Sequence, residues 1–382
     1  MKTIYYLLSI YLLLACSKST LETLEYDDQD SGLPKVQVLG NMITSQYPSG
    51  MPAQWSHDNE PITTFIPNSH SKIMLHGTHH LESVNGSNLV YFGIEVIEGV
   101  TRAVLFTYEG KKILSEEVDC PLMSDRHENL YAHHTDAQGN LYLAAFCSTT
   151  GYKQASYVYK VSNQLEIEKI TMPVNSYFAV FNTSSSIIGL HAQYQHNYIE
   201  MTIGYSNLTR WNATLSLEGY NSYELRGAYR NFDGKVVVLV KAVEIDSKRF
   251  AYFMFFLDTD ENKVTKHVLK LDNKNILMGR GYMEGNDLHL PAYEVSGNKP
   301  YTLRINTQTD LQEITATRND LEVETGAVFG EALFIKKLDG GYYVGGTQQE
   351  KACYWVNGKL VKLTAPADHR RSYPIDLLTY RY

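Results

Sequence analysis

A turn signal returns about every fifty residues along this chain. Asn85-Gly86, Asp136-Ala137-Gln138-Gly139, Ser184-Ser185-Ser186, Asp233-Gly234, Glu284-Gly285 and Asp339-Gly340 each separate two runs rich in β-branched and aromatic residues. Gly and Asn supply the positive φ that tight hairpins need. Residues 89–96, 103–107, 140–146, 235–240, 251–257, 332–336 and 342–345 read as strands, and no long stretch has helical periodicity. A β-unit of this length cannot bury both of its faces alone, so copies must stack around an axis. The chain therefore reads as all-β, a β-propeller of four-stranded antiparallel blades. Six anchors predict six blades, and residues 36–70 are able to add a seventh. Residues 373–382 are expected to complete a blade with an N-terminal strand. A two-sheet sandwich would not keep so regular a period.

The composition fits a globular protein, with 43% hydrophobic and 20% charged residues in 382. Lys and Arg number 34 against 42 Asp and Glu, a net charge of −8, which argues against a nucleic-acid partner. There is no P-loop, no GxGxxG, no HExxH, no CxxC and no GxSxG, so nucleotide, zinc-protease and serine-hydrolase readings find no motif. No cofactor is expected. His79 and His80 could form a metal site with His133 or His134, but adjacent histidines without a further ligand at proper spacing are weak evidence, so no metal is assigned.

The N-terminus reads as an address. Lys2 precedes an apolar run over 4–15, too short to span a bilayer and of signal-peptide length. It ends in Leu13-Leu14-Ala15-Cys16, which resembles a bacterial lipobox whose cysteine is lipidated. The expected organisation is a signal peptide over 1–15, a lipidated tether over 16–35 containing Asp27, Asp28 and Asp30, and a single propeller domain over 36–382. Acylation of Cys16 would hold the protein on the outer membrane, with the periplasmic or cell-surface side left open. Of the other cysteines, Cys120 and Cys147 either pair or join Cys353 as buried small apolar residues.

The densest polar chemistry is Asp125-Arg126-His127-Glu128-Asn129, followed by Tyr131, His133, His134 and the Asp136–Gly139 turn. With the strands around it, this stretch resembles the BNR-4 type of propeller repeat through Asp125, Arg126, His127, Asn129, Asp136 and Gly139. It departs at Arg126 and Glu128. The Asp-boxes of BNR repeats are not intact, and 205–211 holds at best a worn trace. Some propellers of that type, of the ulvan lyase kind, are polysaccharide lyases acting on uronate-containing glycans. The resemblance implies β-elimination, which needs a cation or donor on the uronate carboxylate, a base for the neighbouring C–H proton and an acid for the leaving glycosidic oxygen. His127 matches the motif histidine and is the candidate base or neutraliser. Tyr194 is the candidate acid and Arg210 the candidate carboxylate clamp, since Arg binds carboxylates in a fork. Arg226 and Tyr229 are substitutes for those two jobs, and with Arg126, Asn129 and His134 they form the expected substrate-binding set.

Three functions compete. The first is cleavage of an acidic polysaccharide. The second is binding without catalysis, on Tyr and Trp platforms that meet a glycan or a partner in an uptake complex. The third is a structural propeller that scaffolds other envelope proteins. Trp355 reads as blade core rather than as a sugar platform.

Overall fold

The computed structural model describes residues 35–380 apart from 45–50, 56–60, 63–70, 84–85, 99, 108–110, 118–130, 136–137, 146–156, 174–178, 184–185, 272–274, 296–298, 309–312, 327–328 and 365–368. For several strands, among them Ser71–Ser83 and Tyr131–Thr135, the backbone alone is described. The segments expected as signal peptide and tether, with Cys16, lie outside the described residues apart from Lys35, and so do Cys120 and Cys147.

Every regular element among the described residues is a strand, and the strands form seven sheets. The chain is a seven-bladed β-propeller. Blades 2 to 7 follow one another along the chain, and their first strands are Ser71–Ser83, Tyr131–Thr135, Ala179–Asn182, Tyr220–Arg230, the split pair Ile276–Met278 and Tyr282–Glu284, and Gly330–Leu338. Blade 1 is built from both ends of the chain. His369–Tyr380 pairs with Lys35–Thr44, and Met51–Trp55 and Pro61–Ile62 complete the sheet. Residues 36–70 thus supply three strands of blade 1, the blade beyond the six that the anchors predicted.

First strands of neighbouring blades touch, which makes them the inner strands of the ring. Arg230 of blade 5 donates to the Asn182 carbonyl of blade 4 at 3.2 Å, and Lys336 of blade 7 donates to the Leu377 carbonyl of blade 1 at 3.3 Å. Each of the six turn signals lies between the first and second strands of a blade, at one face of the ring. We call this the lower face. The face at which each inner strand begins is the upper face.

A blade is covered on both sides by its neighbours, so its middle strands are buried on both faces and read as unbroken apolar runs. Val236–Val240 of blade 5 is wholly buried. Val236, Val238 and Val240 join the core shared with blade 4, whereas Val237 and Leu239 join the core shared with blade 6. Each such side chain contributes about 1.5–3 kcal/mol relative to exposure. The fourth strand of a blade has one face in solvent, and Arg210–Ser216 alternates accordingly. Trp355 is core as expected, with its indole N–H on the Glu322 carbonyl at 2.7 Å.

Blade 6 departs from regularity in its inner strand. Between Ile276–Met278 and Tyr282–Glu284 the chain turns toward blade 7, where the Ile335 N–H donates to the Arg280 carbonyl at 3.0 Å. Gly279 permits this approach, because a Cβ there would stand 1.9 Å from the Leu333 carbonyl oxygen.

Candidate functional site

The site follows from two features of blade 5. The ladder between Tyr220–Arg230 and Val236–Glu244 pairs Glu224 with Lys241 and Leu225 with Val240, then resumes at Gly227 with Leu239. Arg226 is the extra residue of this β-bulge. A bulge re-aims the side chain it carries, and Arg226 leans across to blade 6, where it donates to the Met278 carbonyl. Lys241 follows the parity of Val237 and Leu239, so it too belongs to the blade 6 side. It stands in one cross-strand row with Glu224 and Tyr252.

These groups converge on one carboxylate. Glu224 receives Arg226 through one oxygen and Lys241, at 3.4 Å, through the other. The Arg226 and Lys241 side chains are 11% and 12% exposed, but the Glu224 side chain is 48% exposed. Lys241 is also seated over the Phe250 ring, 4.1 Å from its centroid. Burial lowers the Lys241 pKa, and the Glu224 charge works against that shift. Beneath them, the Tyr252 hydroxyl donates to the Ile276 carbonyl at 2.5 Å, and its burial raises its pKa.

Tyr194 reaches this cluster from blade 4. It ends the strand Ile187–Tyr194 at the upper face and is 53% exposed overall. Its hydroxyl end nonetheless lies against the Leu225 main chain beside Glu224, and burial there raises its pKa. The phenol therefore stays protonated at neutral pH and is suited to give a proton away.

Other expected site residues fall elsewhere. Arg210 opens the fourth strand of blade 4, opposite Gly204, whereas Tyr194 pairs with Ile199. The two sit at opposite ends of the sheet, roughly 17 Å apart along the strands at 3.4 Å per residue. Arg226, rather than Arg210, belongs to the cluster that Tyr194 approaches through Glu224. Tyr229 is buried, and its hydroxyl accepts the Gly281 N–H at 3.0 Å. Burial raises its pKa while Arg226 and Arg280 draw it down, so Tyr229 supports the blade 5–6 seam from within. His134 lies in the inner strand of blade 3 opposite Tyr142. Arg126, His127 and Asn129 lie outside the described residues, as do Asp125 and Asp136 of the motif; the described chain resumes at Tyr131, on the upper side of blade 3.

Glu224 and Lys241 were missed by sequence reasoning. The available signal was a lysine at the end of the buried run Val236–Val240. A second polar cluster occupies the lower face between blades 6 and 7. There Glu284 receives Lys337 and the Tyr342 hydroxyl at 2.6 Å, and His289 stacks on Tyr342 with ring centroids 4.8 Å apart. Arg304 is paired with Asp287. Each carboxylate there already has its own cation. No three His, Cys, Asp or Glu side chains are grouped to hold a metal ion among the described residues.

No family model and no curated protein matches the chain. Solved structures similar to it include apo AztD from Citrobacter koseri, at 8% identity and a TM-score of 0.42 over 91% of this chain and 99% of that one. A polysaccharide lyase, PL25-Ulvanlyase, matches at 9% identity and a TM-score of 0.43 over 85% and 95%. A post-proline cleaving enzyme from Rickettsia typhi matches at 12% identity and a TM-score of 0.47 over 88% and 53%.

Proposed function

We propose that this protein is an exported, lipid-anchored propeller that takes acidic polysaccharide at the upper rim of blades 4 to 6 and cleaves it by β-elimination. The observation that carries the reading is that a protonated phenol, Tyr194, and two nearly buried cations, Arg226 and Lys241, all border one carboxylate, Glu224. In elimination, the proton on the carbon beside the uronate carboxylate passes to a base. The electrons of that C–H bond form the new C=C bond, and the C–O bond to the leaving sugar breaks. The leaving oxygen takes a proton from an acid. Arg226 and Lys241 would hold the carboxylate, on which negative charge grows as the proton departs. Tyr194 would protonate the leaving oxygen, and its raised pKa keeps that proton in place until it is needed. His127 is proposed as the base.

Uronate glycans incubated with the protein should gain ultraviolet absorbance from the unsaturated product, and Tyr194→Phe should slow that gain about a hundredfold or more. No gain with any uronate glycan contradicts the cleavage reading. Binding without cleavage is favoured by a separate observation, that Arg226 is already held between Glu224 and the Met278 carbonyl. It predicts a bound glycan, no product, and affinity that survives His127→Ala.

A further inference from the structure

Glu224 differs from the cations that it joins. Arg226 is fixed by the bulge behind it and by the Met278 carbonyl of the next blade, and Lys241 by the Phe250 ring and its place in a buried strand. Both are nearly covered. Glu224 is half in solvent, and its two oxygens are met by these two cations. An anion approaching from the rim therefore meets a carboxylate that is able to swing out and two cations that are not.

We propose that Glu224 is an internal stand-in for the acidic group of the ligand. In the free protein it occupies the seat at Arg226 and Lys241, and a saccharide carboxylate or sulfate displaces it on binding. This rests on the acidic-glycan reading above and adds to it the group whose displacement sets the affinity. Two buried cations without a counter-charge are costly, so Glu224 keeps the empty site stable. It also sets a threshold that neutral sugars cannot cross, since they bring no charge to replace it.

The test is a titration of an oligoglucuronate, and of a neutral oligosaccharide of equal length, into the full chain and into Glu224→Gln. With the competing charge removed, the acidic ligand should bind about tenfold tighter, or about 1.4 kcal/mol, and the neutral one no better. Lys241→Gln in the Glu224→Gln background should abolish the gain. A second measurement needs no variant. Carbodiimide labelling of Glu224 should rise when oligoglucuronate is bound, while acylation of Lys241 should fall. If the native protein binds oligoglucuronate but Glu224→Gln binds no tighter, or Glu224 and Lys241 are protected together, the stand-in role is wrong while the glycan reading survives. If neither protein binds the acidic ligand, both fall.

Discussion

Lys336, on the inner strand of blade 7, reaches Asp376, which is fully buried on the C-terminal inner strand of blade 1. Arg280 of blade 6 stands 3.8 Å from the same carboxylate, and its guanidinium donates to the adjacent Ile375 carbonyl at 2.8 Å. Lys336 also donates to the Leu377 carbonyl at 3.3 Å. Three blades are thus tied where the strand from the C-terminus closes the ring.

Without Lys336 the buried Asp376 carboxylate is left with the more distant Arg280, at 3.8 Å. Lys336→Met should therefore cost about 1–3 kcal/mol, read as a lower midpoint in a urea unfolding curve. A midpoint unchanged from the native protein would mean that the closing strand is held by its ladder to Lys35–Thr44 alone.

Gly279→Ala should be destabilising by about 1–3 kcal/mol or more, because the added methyl meets the Leu333 main chain, which has no rotamer to yield. Gly285→Ala makes a useful contrast. Nothing lies within 4 Å of a Cβ at Gly285, so its penalty comes only from the positive φ of 60°. Thermal unfolding of the two variants should rank Gly279→Ala lower.

The lower-face cluster gives the stability a pH dependence in two windows. Burial lowers the pKa of His289, so the folded state favours the neutral ring. Its contribution is whole above the ordinary histidine value, about 6.5, and is lost as the pH falls through the lowered folded value. The Lys337 ammonium and the Tyr342 hydroxyl hold the Glu284 pKa down, and that contribution fails only further into acid, below the ordinary carboxylate range. Chemical denaturation across this range should show two steps, and His289→Phe should remove the one nearer neutrality. A single step unaffected by that substitution would contradict the assignment.

Cys353 is buried in the core of blade 7, and burial pushes its thiol up, so the reactive thiolate is scarce at neutral pH. Peptide mapping after iodoacetamide should find Cys353 unmodified in the native protein and modified in denaturant. Native labelling at a comparable rate would show that blade 7 opens freely.

The turns carried most of the fold. Gly86, Gly139, Ser186, Gly234, Gly285 and Gly340 fall at or beside the inner hairpins of blades 2 to 7, where a backbone reversal needs turn residues. Blade 1 left no such mark, because its first and second strands come from opposite ends of the chain and no turn joins them. That is why six anchors accompany seven blades. The site was less legible. Tyr194 approaches Glu224 across a blade seam and Arg226 reaches it through a bulge, and neither feature has a residue code. Arg210 lies near Tyr194 in sequence, but two antiparallel reversals put it at the far end of the same sheet. Glu224 and Lys241 meet through strand register, which a sequence does not print.

The most direct test of the account is calorimetric titration of the full chain with an oligoglucuronate and with a neutral oligosaccharide of the same length, at low and high salt. Binding of the acidic ligand alone, weakened by salt and by Arg226→Gln, is the predicted result. Equal binding of the neutral ligand, or acidic binding indifferent to both salt and Arg226→Gln, would contradict a charged glycan seat between blades 5 and 6.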